Sequence, residues 1–330
     1  MKILVTGSEG FIGSHLVEAL VNRGYFVRAF IKYNYQSSKG WLNYLEKKKN
    51  LEFFFGDIED YHSLKKATNS VDIIINLAAL ISIPYSYQAP RSYINSNVIG
   101  TLNVLEVARE KKIKKIILTS TSEVYGSALY TPIDEKHPLQ PQSPYSASKI
   151  AADNLGISFQ KSFGLPVIIA RPFNTFGPRQ STRAIIPTII SQILSRKKNI
   201  FLGDTSPKRD FNYIDDTVNG FIKIVESKKN LSGEIINFGS GFEISINKLF
   251  LLINSLMKSD SRLVLENKRL RPKKSEVMRL LCDNKKAKRL LNWGKNLGNK
   301  KNLVKGLEKT IEWFSDSENL KNYNLNSYEI

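Results

Sequence analysis

Cysteine is almost missing from this 330-residue chain: Cys282 stands alone, which excludes an intramolecular disulfide. Histidine is nearly as scarce, and His15, His62 and His137 are too scattered to suggest a metal site. No apolar run reaches membrane-spanning length, and an apolar segment with its glycine turn follows Met1 too closely to leave room for a signal peptide. A cytoplasmic location is the expectation. Internal repeats and low-complexity linkers are also absent.

Positive charge is in excess. A formal net charge of +19 raises nucleic acid, an anionic membrane or an acidic substrate as partners. The lysine-rich pieces Lys47-Lys48-Lys49, Lys111-Lys112, Lys114-Lys115, Lys197-Lys198, Lys273-Lys274 and Lys285-Lys286 are short and dispersed. They read first as solvated surface at helix ends and turns, and next as a field that steers phosphate-bearing substrates. Neither nucleic acid nor membrane is expected as a partner. With 42% hydrophobic residues the chain can build one large domain with a lobe, or two modest domains.

Apolar runs that read as buried parallel strands recur at residues 2–6, 26–31, 51–55, 71–77, 116–120 and 167–171. Amphipathic stretches at 12–23, 98–112 and 146–163 alternate with them. Such alternation predicts an α/β fold with a Rossmann-type doubly wound parallel sheet. After Arg171 the pattern loosens into pieces at 183–196, 215–227, 235–238 and 246–257. The expectation is therefore a dinucleotide-binding domain over 1–171 and a smaller C-terminal α/β substrate lobe over 172–330, with a soft boundary because segments cross back. A last helix over 303–314 precedes a polar tail over 315–330, to which no function attaches.

The first strand runs into Gly7-Ser8-Glu9-Gly10-Phe11-Ile12-Gly13 and then a helix. Gly7 permits the tight turn, Gly10 lets backbone approach a pyrophosphate at the helix N-terminus, and Gly13 lets helix pack on strand. Asp57 in Gly56-Asp57-Ile58 is placed to accept from an adenine amino group, and Leu77-Ala78-Ala79 offers small residues against which a cofactor lies. The second strand ends in Ala29-Phe30-Ile31-Lys32-Tyr33-Asn34, without the acidic residue that usually binds ribose hydroxyls. With Lys32 and Arg28 nearby, this leans toward NADP without excluding NAD, and Asn34 remains able to hold a ribose hydroxyl.

Further on, Ser120-Thr121-Ser122-Glu123-Val124-Tyr125-Gly126 is followed by Tyr145-Ser146-Ala147-Ser148-Lys149. A Tyr-x-x-x-Lys pair on one helical face sets a phenolic acid/base beside a cation expected to lower its pKa. Thr121 and Glu123 are expected opposite, across a bound sugar.

Together with Asn97-Val98-Ile99-Gly100-Thr101, Arg171-Pro172-Phe173-Asn174-Thr175-Phe176-Gly177-Pro178 and Arg209-Asp210-Phe211, these motifs resemble the extended short-chain dehydrogenase/reductases of nucleotide sugars over nearly the whole chain. Within that branch the chain looks most like the NAD-dependent 4,6-dehydratases of legionaminic acid biosynthesis, which act on GDP-N-acetylglucosamine. The segments that match are Leu80-Ile81-Ser82-Ile83-Pro84-Tyr85-Ser86-Tyr87, Tyr130-Thr131-Pro132-Ile133-Asp134-Glu135 and Ile185-Ile186-Pro187-Thr188-Ile189-Ile190.

The resemblance implies a tightly bound, recycled NAD(P), with Tyr145 as base at the sugar 4-hydroxyl, Lys149 on the nicotinamide ribose and Asn97 also at the cofactor site. It implies that Thr121 bonds the same hydroxyl and that Glu123 removes the C5 hydrogen. Ser122 stands where the deoxythymidine-diphosphate-glucose enzymes have an aspartic acid, so Glu123 acting twice and a water relay both stay open as proton donor. Asn174 and Arg179 match positions near the diphosphate and sugar, and Arg209 and Arg271 match a pyrophosphate clamp. A homodimer through the helices at 91–112 and 146–163 is implied as well, with Val98, Leu102, Leu105, Ile157 and Phe159 as apolar surface.

Competing readings are a UDP-glucuronate decarboxylase, a 4-epimerase and a non-catalytic dinucleotide-binding subunit or sensor. A decarboxylase calls for a cation near Ser82, where this chain has none. An epimerase has no use for Glu123 in an enclosed site, and a sensor would exchange its cofactor freely.

Overall fold

In the computed structural model, which describes residues 1–321 and 323, the strands are β1 (Lys2–Thr6), β2 (Phe26–Lys32), β3 (Leu51–Gly56), β4 (Ile73–Asn76), β5 (Lys115–Thr119), β6 (Val167–Pro172), β7 (Asn174–Phe176), β8 (Asn199–Leu202), β9 (Lys208–Tyr213), β10 (Ile235–Phe238), β11 (Glu243–Ser245) and β12 (Arg262–Leu265). Seven form one sheet in the order β10-β6-β5-β4-β1-β2-β3, every pair parallel. Sequences such as Ile73-Ile74-Ile75 are continuous apolar runs because helices cover both faces of the sheet.

The helices are α1 (Phe11–Asn22), α2 (Tyr61–Ala67), α3 (Ile83–Gln88), α4 (Pro90–Tyr93), α5 (Gly100–Glu110), α6 (Pro144–Phe163), α7 (Ile185–Leu194), α8 (Ile214–Glu226), α9 (Ile246–Leu256), α10 (Lys285–Leu291), α11 (Lys300–Ser315) and α12 (Ser317–Leu320). Leu16, Val17, Phe221 and Leu291 of α1, α8 and α10 pack with one side of the sheet. Leu64, Val104, Leu105 and Phe159 of α2, α5 and α6 pack with the other. Strand order reverses between β1 and β4, which opens a crevice at their carboxyl ends where open α/β sheets bind ligands.

The seventh strand comes from beyond residue 171: β10 pairs with β6, and α8 and α10 also lie on the sheet. The remaining lobe holds the β11-β9-β7 sheet, the β12-β8 pair and α7, α9 and α11 around Phe176, Ile189, Phe250, Leu307 and Phe314. The expected polar tail also differs from the structure, since α12 lies in it and Tyr323 stacks near Trp41, Trp313 and Phe314 with centroids 5.7, 6.0 and 5.3 Å away. Burying one aromatic outweighs the polar composition around it; residues 322 and 324–330 lie outside the described part. Among the described residues no helix is long and apolar enough to cross a membrane.

Candidate active site

The glycine turn is shaped by close approach. Gly7 has φ +62°, and a Cβ on it would lie 2.9 Å from the backbone of Ala78. A Cβ on Gly13 would lie 2.2 Å from the Gly7 carbonyl oxygen, whereas Gly10 is exposed and a Cβ there would meet only that oxygen, at 3.4 Å. Helix α1 starts at Gly10 without a side-chain cap, so its first N–H groups remain available to an anion, with Phe11 and Ile12 packed beside them. Thr6 fastens this turn to β4: its hydroxyl donates to Asn76 Oδ1 (2.6 Å) and accepts from the Leu77 and Ala78 N–H groups (3.1 Å each). Ala79 follows in the same loop. Sequence reading missed Thr6 and Asn76, although polar residues ending two adjacent apolar strands were a usable signal.

Of the two cations behind the NADP lean, Arg28 is turned away from the site. Arg28 is buried, with its guanidinium on Glu52 (Nε, 3.0 Å) and on the carbonyls of Ala67 and Asn69 at 2.5 and 3.0 Å, away from the carboxyl edge. Lys32 Nζ stands 3.6 Å from Asp57 Oδ2, so it is already paired. Asn34 closes its own turn through Lys32 O, Ser38 O and Ser38 N. Asp57 accepts from Glu59 N at 3.0 Å, and Ile58 is buried under Gly100.

Thr121 leaves β5 in extended conformation and caps the 3-10 turn Ser122–Tyr125, its hydroxyl accepting from Glu123 N at 3.2 Å. Tyr145 and Lys149 stand one turn apart on α6, whose start is fixed by a capping box between Ser143 and Ser146. Ser122, Glu123, Tyr145 and Lys149 are all buried, and the Tyr145 phenol bonds Thr121. Burial pushes that phenol well above its ordinary range; the Thr121 bond opposes this and the Glu123 charge adds to it.

Lys149 is pushed down by burial, against the charge of Asp153. Its Nζ donates to the Thr119 carbonyl at 2.5 Å. The expectation that Lys149 lowers the phenol pKa is therefore corrected: desolvation drives both groups toward their neutral forms. Tyr93, not foreseen, packs edge-on against Tyr145 at 6.2 Å, is itself pushed to about 12 by burial, and bonds the carbonyl of Ser82. The Ser82 hydroxyl caps α3. Asn97 lies in a π-helical stretch, Ile94–Ile99, and spends its amide on both backbone groups of Leu80 and on Ser148, so it positions the loop after β4 against α6.

At the lobe side, Arg209 donates to Glu276 Oε1 at 3.0 Å and Arg271 Nη1 lies 3.5 Å from the same oxygen. Two guanidinium groups thus share one carboxylate. Arg209 is pushed down by burial, with the charges of Glu123 and Glu276 opposing, so the clamp and the Thr121–Glu123 turn face a common space. Asn174 Oδ1 is buried without a hydrogen-bond partner, a state suited to a polar ligand, and Arg271 Nη1 is buried with only its 3.5 Å ion-pair contact to Glu276. Glu276 carried no sequence signal. Arg179 is not brought to this pair: its guanidinium bonds Glu18 (2.9 Å) and the Tyr44 hydroxyl (2.7 Å), against α1.

An uncapped helix behind an open glycine turn, a buried Tyr-Lys pair and two converging arginines fit a dinucleotide at the crevice and a diphosphate across from it. The fold and site define an enzyme of the short-chain dehydrogenase/reductase type for nucleotide sugars. The chain belongs to the GDP-mannose 4,6 dehydratase family, whose model matches residues 4–305. Human dTDP-D-glucose 4,6-dehydratase is 33% identical, covering 97% of this chain and 92% of its own length. Among solved structures, DesIV (dTDP-glucose 4,6-dehydratase) from Streptomyces venezuelae, with NAD bound, superposes with TM-score 0.86 at 28% identity, covering 98% of this chain and 99% of its own. UDP-glucuronic acid 4-epimerase from Bacillus cereus, in complex with UDP-glucuronic acid and NAD, gives TM-score 0.86 at 32% identity, covering 95% and 98%.

Proposed function

We propose that this chain is a nucleotide-sugar 4,6-dehydratase that retains and recycles NAD and converts GDP- or UDP-linked N-acetylglucosamine to its 4-keto-6-deoxy form. The observation behind it is the Glu123 carboxylate, buried beside Tyr145 in the Thr121 turn, where an epimerase needs no base. The choice of sugar rests on the legionaminic-type segments. The NAD choice rests on the pairing of Lys32 and the distance of Arg28 from the crevice.

Bound NAD would supply a hydride acceptor that ends the cycle as it began, together with a positive charge that favours a phenolate beside it. The glycine turn and Leu77 to Ala79 would hold it. Tyr145 takes the proton of the sugar 4-hydroxyl while Thr121 bonds the same oxygen. Once C4 is a carbonyl its neighbour C5 is acidic, and Glu123 removes that hydrogen as the C6 hydroxyl departs as water; the resulting C5–C6 double bond would then take the hydride back at C6 and a solvent-derived proton at C5. Ser122 is too weak an acid to protonate that leaving group, so the proton comes from Glu123 or through a relayed water. Arg209 and Arg271 clamp the diphosphate in place of Glu276.

Mass spectrometry of products in heavy water tests this without added cofactor, offering GDP- and UDP-N-acetylglucosamine, GDP-mannose and UDP-glucuronate. Loss of one water with one deuterium gained at C5 is expected. Carbon dioxide loss, or a product of unchanged mass, would reassign Glu123.

A homodimer through α5 and α6 goes with this reading. Leu105 and Phe159 face their own sheet, whereas Ile94, Ile99 and Phe163 are exposed, and light scattering at twice the 37.5 kDa chain mass is expected.

A further inference from the structure

Glu9 sits inside the glycine turn, between Gly7 and Gly10, and none of the turn's phosphate-binding logic uses its side chain. That side chain reaches across to the end of β2, where Oε1 accepts the backbone N–H of Lys32 at 3.0 Å. The second oxygen, Oε2, is buried and has no hydrogen-bond partner. Gly40 closes over the residue, and a Cβ there would lie 3.1 Å from Glu9 Cβ and 2.9 Å from Glu9 O. Burial raises the Glu9 carboxyl above its ordinary range, with backbone N–H donors opposing. A desolvated carboxylate oxygen without a donor is a standing cost that a ligand hydroxyl would remove.

The end of β2 is where dinucleotide folds carry the acidic residue that accepts the adenosine ribose hydroxyl. This chain has Lys32, Tyr33 and Asn34 there. We propose that Glu9 supplies the missing carboxylate from the neighbouring turn, accepting the adenosine ribose 2′-hydroxyl on Oε2 and selecting NAD against NADP. The assignment rests on the NAD reading above and goes beyond it by naming the discriminating residue. Lys32 is the cation at this edge; its ammonium lies 3.6 Å from Asp57 and its backbone N–H is held by Glu9, so a 2′-phosphate entering here meets two carboxylates against one ammonium.

The test is calorimetric titration of the full chain, stripped of nucleotide, with NAD, NADP and NAD lacking the adenosine 2′-hydroxyl. Wild type is expected to bind NAD at least about 100-fold more tightly than NADP, and to lose about 10-fold on the 2′-deoxy analogue, the effect of one hydrogen bond to a charged group. In Glu9→Gln the NAD/NADP ratio is expected to fall by about 10-fold or more and the 2′-deoxy penalty to vanish, with the melting temperature as a check on folding. Wild type that binds the 2′-deoxy analogue as tightly as NAD overturns the assignment without recourse to any variant. An unchanged NAD/NADP ratio in a folded Glu9→Gln also overturns it, while leaving the NAD reading intact. Wild type that binds neither dinucleotide overturns the cofactor reading and Glu9's role together.

Discussion

Asp153 is the buried anion behind α6, and replacing it measures how much of the site depends on one charge. Its Oδ2 accepts from Ser120 Oγ at 2.6 Å and from Arg171 Nε and Nη2 at 3.1 and 2.9 Å, and both side chains of the ion pair are at most 2% exposed. Arg171 also donates to the Tyr125 hydroxyl at 2.9 Å, which donates to Asn237 Oδ1 at 2.8 Å. In Asp153→Ala the guanidinium keeps its charge in a dry interior with one neutral partner left, a loss of about 3–5 kcal/mol. Domains are stable by only about 5–15 kcal/mol, so this variant should be close to unfolding at room temperature. Asp153→Asn keeps an acceptor of the same shape and should lose about 1.5–3 kcal/mol, the worth of a charged hydrogen bond. Removing both charges in Asp153→Leu with Arg171→Met should recover most of the alanine loss. Urea unfolding followed by near- and far-ultraviolet circular dichroism reads all three. An Asp153→Ala loss under about 1 kcal/mol would refute the reasoning, because the Arg171 charge would then be solvated by something other than Asp153. The same charge opposes the burial that pushes Lys149 down. Asp153→Asn should therefore shift the alkaline limb of the pH-rate profile to lower pH, an effect a purely structural loss would not produce.

Glu123→Gln should slow water loss about 10²–10⁴-fold while leaving C4 oxidation intact, so reduced nicotinamide absorbance should build up on mixing with substrate; dehydration at the wild-type rate would remove Glu123 as the base. Gly13→Ala sets a Cβ 2.2 Å from the Gly7 carbonyl oxygen, and the displaced turn should lose the nucleotide retained through gel filtration; full retention would show that α1 can shift without disturbing the cradle. His15 Nε2 lies 3.1 Å from the Pro178 carbonyl, and burial beside Arg179 pushes the ring from 6.5 down to about 4. A lowered histidine pKa means the unfolded chain binds more protons between those values, so stability present above pH 6.5 is lost as pH falls toward 4. Between pH 7.5 and 5 the loss from this group should be about 2 kcal/mol. His15→Gln should flatten the pH dependence of urea unfolding by that amount, and an unchanged slope would count against it.

The sheet was legible because its strands are buried on both faces and leave uninterrupted apolar runs, with glycines where backbone passes backbone. The catalytic turn and the Tyr-Lys pair were legible because their spacing is local to one turn and one helix. Other features depend on side chains meeting across long sequence separations. Glu276 falls between Arg209 and Arg271 only because β9 brings Arg209 alongside the segment after β12. Arg28 is a cation near a ribose site in sequence, but its place in β2 opposite Glu52 turns it to an ion pair. The assignment of β10 to the main sheet also escapes local pattern, since Ile235 to Phe238 is too short to announce which sheet it joins. Tyr323 was passed over for a related reason, because composition averaged over a tail conceals a single aromatic anchor.

A dehydratase and an epimerase superpose on this chain with the same TM-score of 0.86, so the backbone is indifferent to which reaction follows oxidation at C4. Both reactions need a base at the 4-hydroxyl, the role proposed for Tyr145 on α6. They part at C5, where dehydration requires a second base and epimerisation requires room for the sugar ring to turn. Glu123, proposed as that second base, stands on a turn only four residues long, fixed at its start by Thr121 and at its end by Gly126 with φ +61°. A buried carboxylate there is unfavourable unless a nearby cation or a reaction step makes use of it. Arg209, whose own burial is partly offset by the Glu123 charge, provides that cation and is also half of the proposed diphosphate clamp. On the proposed reading, the arginine that clamps the diphosphate therefore also keeps the C5 base tolerable, which would tie substrate binding and reaction choice to a single electrostatic arrangement. Replacing Arg209 should then cost the Glu123-dependent loss of water as well as affinity for the nucleotide sugar, a coupling that an epimerase without the carboxylate has no means to show.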